Sequence, residues 1–220
     1  YSLNDVANLD DLPSSYSYLD LEAEGFDCSV DVPNWPSNNY YTTEGSEHGP
    51  LMDEQINFLP VINESDYVSF YYSGKFTVFH SNNGNLTYQP TIQQVNRTSN
   101  PIRASKIFLL GLAGSWGDEF PAGAFALTLN ITYTDGSSSI WELGYDYIDD
   151  FWYAANQGNE CISALSGKIT EIDLGFQIDM PNQHIHTHTV GFEIDYFKYI
   201  QSITFVDPGN DNSGPHLLAV

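Results

Sequence analysis

Hydrophobic and polar residues alternate along much of this chain with the period of two that β-strands have. The clearest example is residues 124–133, where polar residues separate the large apolar side chains Phe125, Leu127, Leu129, Ile131 and Tyr133. The pair Asp135-Gly136 that follows is typical of a tight turn into a second strand at residues 140–143. We therefore expect a hairpin with one buried face and one solvent-exposed face.

Further strands are predicted on both sides of this hairpin. Residues 107–112 form a continuous apolar run, which is typical of a strand buried on both faces. Additional alternating segments lie at residues 67–72, 75–79, 169–178, 189–197 and 200–206. The connections are short, and no segment has the period of an amphipathic helix. This pattern predicts an all-β fold, an antiparallel β-sandwich of the jelly-roll or immunoglobulin-like kind.

The N-terminal part of the chain differs from the rest. Residues 1–55 are rich in Asp, Asn, Ser, Tyr and Pro, so we expect an extended acidic arm before a sandwich domain at residues 56–220. Residues 26–32 are an exception, because polar residues alternate there with Phe26, Cys28, Val30 and Val32. Pro33 would end this candidate strand. The strand could complete its own domain or pair with a neighbouring molecule.

The charge of the chain limits its partners. It contains 29 Asp and Glu residues against 6 Lys and Arg residues, a formal net charge of -23 in 220 residues. Residues 1–74 hold 14 of the acidic residues and none of the basic ones. Such a surface repels nucleic acid and anionic lipid, so neither is expected as a partner. No apolar run approaches the roughly 18 residues that span a bilayer, so membrane insertion is not expected.

Three features bear on the compartment. The chain begins at Tyr1 without an apolar signal region, which predicts the mature form of an exported protein, extracellular or at the cell surface. Its two cysteines, Cys28 and Cys161, could form one long-range disulfide or remain separate thiols. Four Asn-x-Ser/Thr sequons provide candidate glycosylation sites at Asn63, Asn85, Asn96 and Asn130. Of these, Asn130 lies on the outward face of the clearest strand.

Two groups of side chains could bind a metal ion. On a strand, His184, His186 and His188 would emerge from one face about 6.8 Å apart, which suits zinc or copper as well as a row of surface histidines. Oxygen ligands for Ca2+ are concentrated in one loop at Asp207, Asn210 and Asp211. The same residues also make an ordinary Asx-rich turn. We expect that no cofactor is required, with Ca2+ as the ion that this loop would bind.

Catalytic motifs are missing from the sequence. It has no Gly-x-Ser-x-Gly elbow, no phosphate-binding Gly loop with Lys, and no His-Glu-x-x-His pair. A glycosidase needs two facing carboxylates, but 29 acidic residues make some such pair inevitable. We therefore predict that the protein is not an enzyme.

Aromatic residues in loops suggest carbohydrate binding, because sugar rings stack on aromatic faces. The candidates are Trp116 in a Gly-rich loop and the pair Trp152-Tyr153 after an acidic cluster. The alternative for each is packing in the core or within a loop.

Three segments carry a resemblance to a known family. These are residues 102–114, 127–137 and 198–205, with the sequences IRASKIFLLGLAG, LTLNITYTDGS and KYIQSITF. They resemble the galactose-binding-like jelly-roll modules that accompany secreted microbial glycosidases, over residues of about 58 to 220. The resemblance implies a non-catalytic β-sandwich and glycans as ligands.

The arm supports a different function. A sandwich preceded by a detached strand with Phe26, Cys28, Val30 and Val32 on one face looks like the subunits of pilus-type filaments, in which one protomer donates a strand to the next. We therefore predict a non-catalytic extracellular structural subunit that assembles with copies of itself into a filament or surface layer. The alternative is a carbohydrate-binding module.

Overall fold

A computed structural model describes residues 16–28, 55–72, 76–82, 87–112, 125–144, 146–148, 152–154, 167–177, 180–209 and 214–220. For residues 55–57, 152–154, 173–177 and 180–186 it describes the backbone alone. The described residues form no helix, and their strands are β1 (Gln55–Leu59), β2 (Val68–Tyr72), β3 (Thr77–Val78), β4 (Ile92–Asn96), β5 (Lys106–Gly111), β6 (Phe125–Tyr133), β7 (Ser138–Gly144), β8 (Trp152–Ala154), β9 (Thr170–Gln177), β10 (Met180–Glu193), β11 (Ile200–Val206) and β12 (His216–Ala219).

The strands form two large sheets and one hairpin. The six-stranded sheet has the order β3-β12-β5-β10-β8, with β9 also paired to β10, and the four-stranded sheet has the order β4-β11-β6-β7. Strands β1 and β2 form a separate two-stranded sheet. Every pairing between named strands is antiparallel. The prediction of an all-β antiparallel β-sandwich is confirmed.

The main hydrophobic core lies between the two large sheets. The clearest predicted strand, β6, contributes Leu127, Leu129, Ile131 and Tyr133 to it, all almost fully buried. Strand β11 contributes Phe205, and β10 of the opposite sheet contributes Val190. The polar residues between these positions are left on the outside because successive side chains of a strand point to opposite faces.

A second hydrophobic cluster covers the other face of the six-stranded sheet. The β1–β2 hairpin packs there through Phe70 and Tyr72, together with Leu110 of β5 and Leu218 of β12. The neighbouring Leu109 belongs to the main core. Strand β5 is therefore buried on both faces, which explains why residues 107–112 show an apolar run without alternation.

The described part of the arm, residues 16–28, packs on the domain of its own chain. Leu19, Leu21 and Phe26 are 6%, 2% and 4% exposed and belong to the main core. The Phe26 ring meets the ring of Phe205 edge-on, with centroids 6.1 Å apart. Residues 26–28 have no regular secondary structure, and Val30 and Val32 lie outside the described residues.

Polar contacts attach the arm to both large sheets. The buried side chain of Gln93 on β4 accepts a hydrogen bond from the Asp27 amide (3.2 Å) and donates one to Oγ1 of Thr77 on β3 (3.0 Å). The Thr77 hydroxyl in turn donates to the Asp27 carbonyl (2.7 Å). Arg97 and Glu24 form a two-contact ion pair beside this network. The arm thus bridges β3 and β4, which belong to different sheets.

We expect Phe26→Ala to lower the free energy of unfolding by about 3–5 kcal/mol, because it leaves a cavity in the main core. The matched control is Phe197→Ala, at a ring that is 85% exposed, where the change should stay within about 0.5 kcal/mol. Urea denaturation followed by fluorescence measures both. Equal effects of the two substitutions would show that residues 16–28 do not stabilise the domain.

Candidate functional site

The outward side of the four-stranded sheet is a continuous surface, which we call the four-strand face. The pairing of β4, β11, β6 and β7 places its side chains in three rows. The rows are Ile92-Val206-Thr128-Glu142, Gln94-Thr204-Asn130-Ile140 and Asn96-Ser202-Thr132-Ser138. With strands about 4.8 Å apart and same-face residues about 6.8 Å apart, the face measures roughly 14 Å in each direction.

The four-strand face is almost without charge in a chain whose net charge is -23. Glu142 is its only ionisable side chain. The remaining polar positions are hydroxyls of Ser and Thr and amides of Asn and Gln, which both donate and accept hydrogen bonds. Ile92 and Ile140, each 58% exposed, add apolar area at the two edge strands. The face therefore suits a neutral ligand that has many hydroxyl groups.

Asn130 lies in the central row of this face, between Thr204 and Ile140. Its Oδ1 atom is out of contact with solvent and has no hydrogen-bond partner among the described residues. A buried acceptor without a partner costs about 1–3 kcal/mol of stability, so such atoms are rare and call for an explanation. A ligand donor reaches this oxygen only when the half-buried Asn130 side chain turns outward.

An aromatic residue and an arginine extend the face beyond the row that contains Ser202. The Arg103 guanidinium lies 4.1 Å from the centre of the Tyr199 ring. Their chain neighbours Ile102 and Ile200 form an antiparallel bridge and pack against the core. Because neighbouring side chains alternate, Tyr199 and Arg103 lie on the outward side. The face thus ends in an exposed aromatic ring covered by a cation.

The turn between β10 and β11 is held firmly beside Tyr199. The Asp195 carboxylate accepts a hydrogen bond from the Phe197 amide (3.0 Å), and Lys198 Nζ donates to Oγ of Ser137 (2.7 Å). Asp135 lies in the adjoining β6–β7 turn, and its pKa is lowered. The main cause is the pair of hydrogen bonds from the Ser137 hydroxyl and amide, and Lys198 contributes less. These contacts define the position of the turn even though the Phe197 ring is mostly exposed.

A groove of 540 Å³ lies elsewhere, between the connection after β1 and the start of β9. Its polar lining includes Glu64, Asp66 and Glu171. Glu64 binds Lys106 (2.5 Å), and this hydrogen bond raises the pKa of Lys106. Burial raises the pKa of the nearby Tyr16 hydroxyl, and the negative charge of Glu64 raises it further. The groove is acidic, and Glu64 already has a cationic partner.

Of the predicted histidine row, the structure describes one side chain. His184, His186 and His188 all lie on β10, where the backbone of each pairs with β9 and a register shift separates Ile185 from His186. His188 is fully buried, and its Nδ1 donates to the carbonyl of Tyr147 (3.0 Å). The side chains of the other two lie outside the description, so the three-histidine metal site stays a prediction.

The other predicted site residues are only partly described. Asp207 is 3% exposed and its Oδ1 accepts a hydrogen bond from the Gly209 amide (2.7 Å). Cys28 is half-buried against the main core, and Trp152 and Tyr153 lie on β8 with their backbones alone described. The residues outside the description are Val30, Val32, Asn85, Trp116, Cys161, Asn210 and Asp211. Disulfide formation and calcium binding therefore stay predictions.

Three predicted glycosylation sites have different surroundings. Asn63 is exposed in a turn with a φ angle of 66°. Asn96 is exposed at the end of β4, and Asn130 is half-buried near the centre of the sheet. Asn96 and Asn130 share the four-strand face. Sequence patterns singled them out as sequons, but did not indicate that Gln94, Thr204 and Arg103 would lie on the same surface.

Comparison with protein-family models, with curated proteins and with solved structures gave no match. Among the described residues, no three His, Cys, Asp or Glu side chains are grouped closely enough to hold a metal ion. The same part of the chain contains no helix with the length and hydrophobicity needed to cross a membrane.

We expect Asn130→Thr to raise the free energy of unfolding by about 1 kcal/mol, because it removes an unpaired buried acceptor and adds a residue that favours strands. The control is Asn96→Thr, the same exchange at an exposed position, with an expected change within about 0.5 kcal/mol. Thermal and urea denaturation compare the two variants. Destabilisation by Asn130→Thr would mean that the amide oxygen already has an internal partner.

Proposed function

We propose that this protein is a non-catalytic, extracellular carbohydrate-binding domain, and that the four-strand face binds a neutral glycan. The observation that carries the proposal is the composition of that face, with a single ionisable residue in three rows of side chains. Hydroxyl and amide groups complement the hydroxyl groups of a sugar, and exposed aliphatic side chains complement its C–H groups. The acidic remainder of the surface disfavours nucleic acid and anionic lipid.

The strand order supports a jelly roll, the topology of the galactose-binding-like modules that the sequence resembles. Strands β3, β12, β5 and β10 oppose β4, β11, β6 and β7. The chain passes from one sheet to the other at β3–β4, β4–β5, β5–β6, β7–β8, β10–β11 and β11–β12. A jelly roll has eight strands wound between two sheets, and this order is consistent with it if β8 and β9 are an insertion before β10. A fold alone does not assign a ligand, whereas the side chains of the four-strand face favour one.

Asn130 provides the specific polar contact in this proposal. Its Oδ1 has no partner among the described residues and lies out of contact with solvent, so a sugar hydroxyl would donate to it once the side chain has turned outward, and would gain a hydrogen bond without breaking one. The side chains of Thr204 and Ile140 on either side provide a hydroxyl and an apolar surface. Binding of this kind requires no metal and no cofactor.

Binding without catalysis follows from the same composition. Hydrolysis of a glycosidic bond uses two carboxyl groups about 5–9.5 Å apart on either side of the bond. Glu142 is the only carboxylate on the four-strand face, and it lies in an outer row. Among the described residues, a glycan bound across the central row would therefore meet no pair of carboxylates.

We expect a glycan array to reveal binding of neutral polysaccharides, and Asn130→Ala to weaken that binding about tenfold, the effect of one lost hydrogen bond. Gln94→Ala, in the same row, should act in the same direction. Glu193→Gln is the control, because this exposed residue belongs to the other large sheet and its substitution should leave affinity unchanged. Absence of binding to every glycan, or unchanged affinity of Asn130→Ala, would contradict the proposal.

A second candidate function is self-assembly by strand donation, for which the β7 edge provides support. Strand β7 ends the order of the four-stranded sheet, so one side of its backbone has no strand partner among the described residues. Such an edge can accept an extended segment of another molecule, here the arm segment with Val30 and Val32. Phe26 and Cys28 pack on their own domain, so the donated segment would begin after Cys28.

If this assembly occurs, electron microscopy of the full chain will show regular fibres, and Ile140→Lys on β7 will abolish them, because an edge lysine blocks strand addition. The matched control is Ile92→Lys on β4, an equally exposed position whose edge is flanked by the arm. Removal of residues 1–33 would be uninformative, because it also deletes Leu19, Leu21 and Phe26 from the core. A wild-type chain that stays monomeric at high concentration would exclude assembly.

A further inference from the structure

We propose that Arg103 and Tyr199 form a subsite for one acidic sugar, a hexuronate, within an otherwise neutral glycan. The inference rests on the proposed function, since it assigns specificity to one end of the four-strand face. The guanidinium carbon of Arg103 lies 4.1 Å from the centre of the Tyr199 ring, and both side chains lie beyond the row of Ser202.

Arg103 differs from the other basic residues in its ionic partners. Four basic side chains in the described part of the chain have a carboxylate within 4.0 Å, in the pairs Arg97–Glu24, Lys106–Glu64, Lys168–Asp146 and Lys198–Asp135. Arg103 is the remaining basic residue that the structure describes, and no described carboxylate lies within that distance. In a chain with 29 acidic residues, a cation without a local carboxylate partner can bind an external one.

The contact with the Tyr199 ring holds the Arg103 side chain in a position from which it can bind a carboxylate. A guanidinium has five N–H donors in one plane, and two of them bind both oxygens of a carboxylate at the same time. The Tyr199 ring attracts the guanidinium, whose carbon lies 4.1 Å from the ring centre, and no described residue accepts a hydrogen bond from this guanidinium. The Tyr199 ring therefore restricts the side chain, which lowers the entropic cost of binding.

Aromatic side chains beside this pair provide a surface for the sugar ring. Tyr196 and Phe197 in the β10–β11 turn are 55% and 85% exposed, and their ring centres are 6.1 Å apart. The Phe197 amide donates to the Asp195 carboxylate, which fixes the backbone from which these rings project. Large apolar rings exposed next to each other are typical of ligand contacts.

The charge of the whole molecule limits how many acidic sugars can bind. A net charge of -23 repels a polymer that carries a carboxylate on every residue. Glu142, in the row farthest from Arg103, would repel a second carboxylate on a chain that crosses the face. The fitting ligand is thus a neutral glycan with isolated hexuronates.

Glucuronoxylan is a suitable probe, because it carries isolated glucuronates on a neutral xylose backbone. Its carboxyl-reduced form, in which each glucuronate has become glucose, is the matched neutral polymer. We expect the wild-type protein to bind the native polymer about tenfold more tightly than the reduced one, as one charged hydrogen-bonded pair allows. Arg103→Gln should abolish this preference while affinity for the reduced polymer is unchanged, and Arg103→Lys should retain part of it.

Calorimetry with the two polymers and three proteins separates the outcomes. Equal affinity of the wild-type protein for both polymers, or a preference that persists in Arg103→Gln, overturns the acidic subsite and leaves the neutral face intact. Failure to bind either polymer while array glycans bind also overturns it. Failure to bind any glycan in either experiment overturns the proposed function as well. Circular dichroism of the variants checks that each is folded.

Discussion

The side chains buried between the two large sheets determine what lies on the outside of the four-stranded sheet. One buried row consists of Gln93, Phe205, Leu129 and Trp141, which the strand pairing places side by side. The chain neighbours of these four residues point outward. One neighbour of each lies in the central row of the four-strand face. A slip of one residue in any strand would expose core residues and bury polar ones. The geometry of the site is therefore as stable as the packing behind it.

The arm contributes to this packing and does not merely precede it. Its apolar residues fill the main core, and the Asp27 backbone completes the hydrogen bonds of Gln93 and Thr77. Burial of these two polar side chains would cost stability without such partners. The edge of the sandwich at β3 and β4 is thereby closed by the same chain, whereas β7 remains the end of its sheet.

In the proposed function, stability and ligand binding act in opposite directions at Asn130. An amide oxygen without a partner costs stability in the free protein, and a strand-forming residue would fit the position better. Natural proteins retain such local conflicts where a ligand relieves them. The surrounding face is also unusual in its low charge, since the chain as a whole carries acidic residues in excess. Both features favour a ligand that bonds through hydroxyl groups.

Several elements were predictable from the sequence because they depend on local patterns. Alternation at residues 125–133 and the Asp135-Gly136 turn specified the β6–β7 hairpin, and the apolar run at residues 107–112 indicated a strand buried on both faces. Periodicity also indicated which side of β6 would face the core. These features involve residues close together in the chain, whose side-chain directions follow from strand geometry alone.

The candidate site was not predictable in this way. Gln94, Asn130 and Thr204 come from three strands that are distant in sequence, and only the register of β4, β11 and β6 makes them neighbours. The pairing of Arg103 with Tyr199 likewise depends on the bridge between residues 102 and 200. The sequence by itself determined the strand type, the buried sides and the acidic charge. Tertiary structure alone decided which polar side chains meet, because strand order and register arise from packing between distant segments.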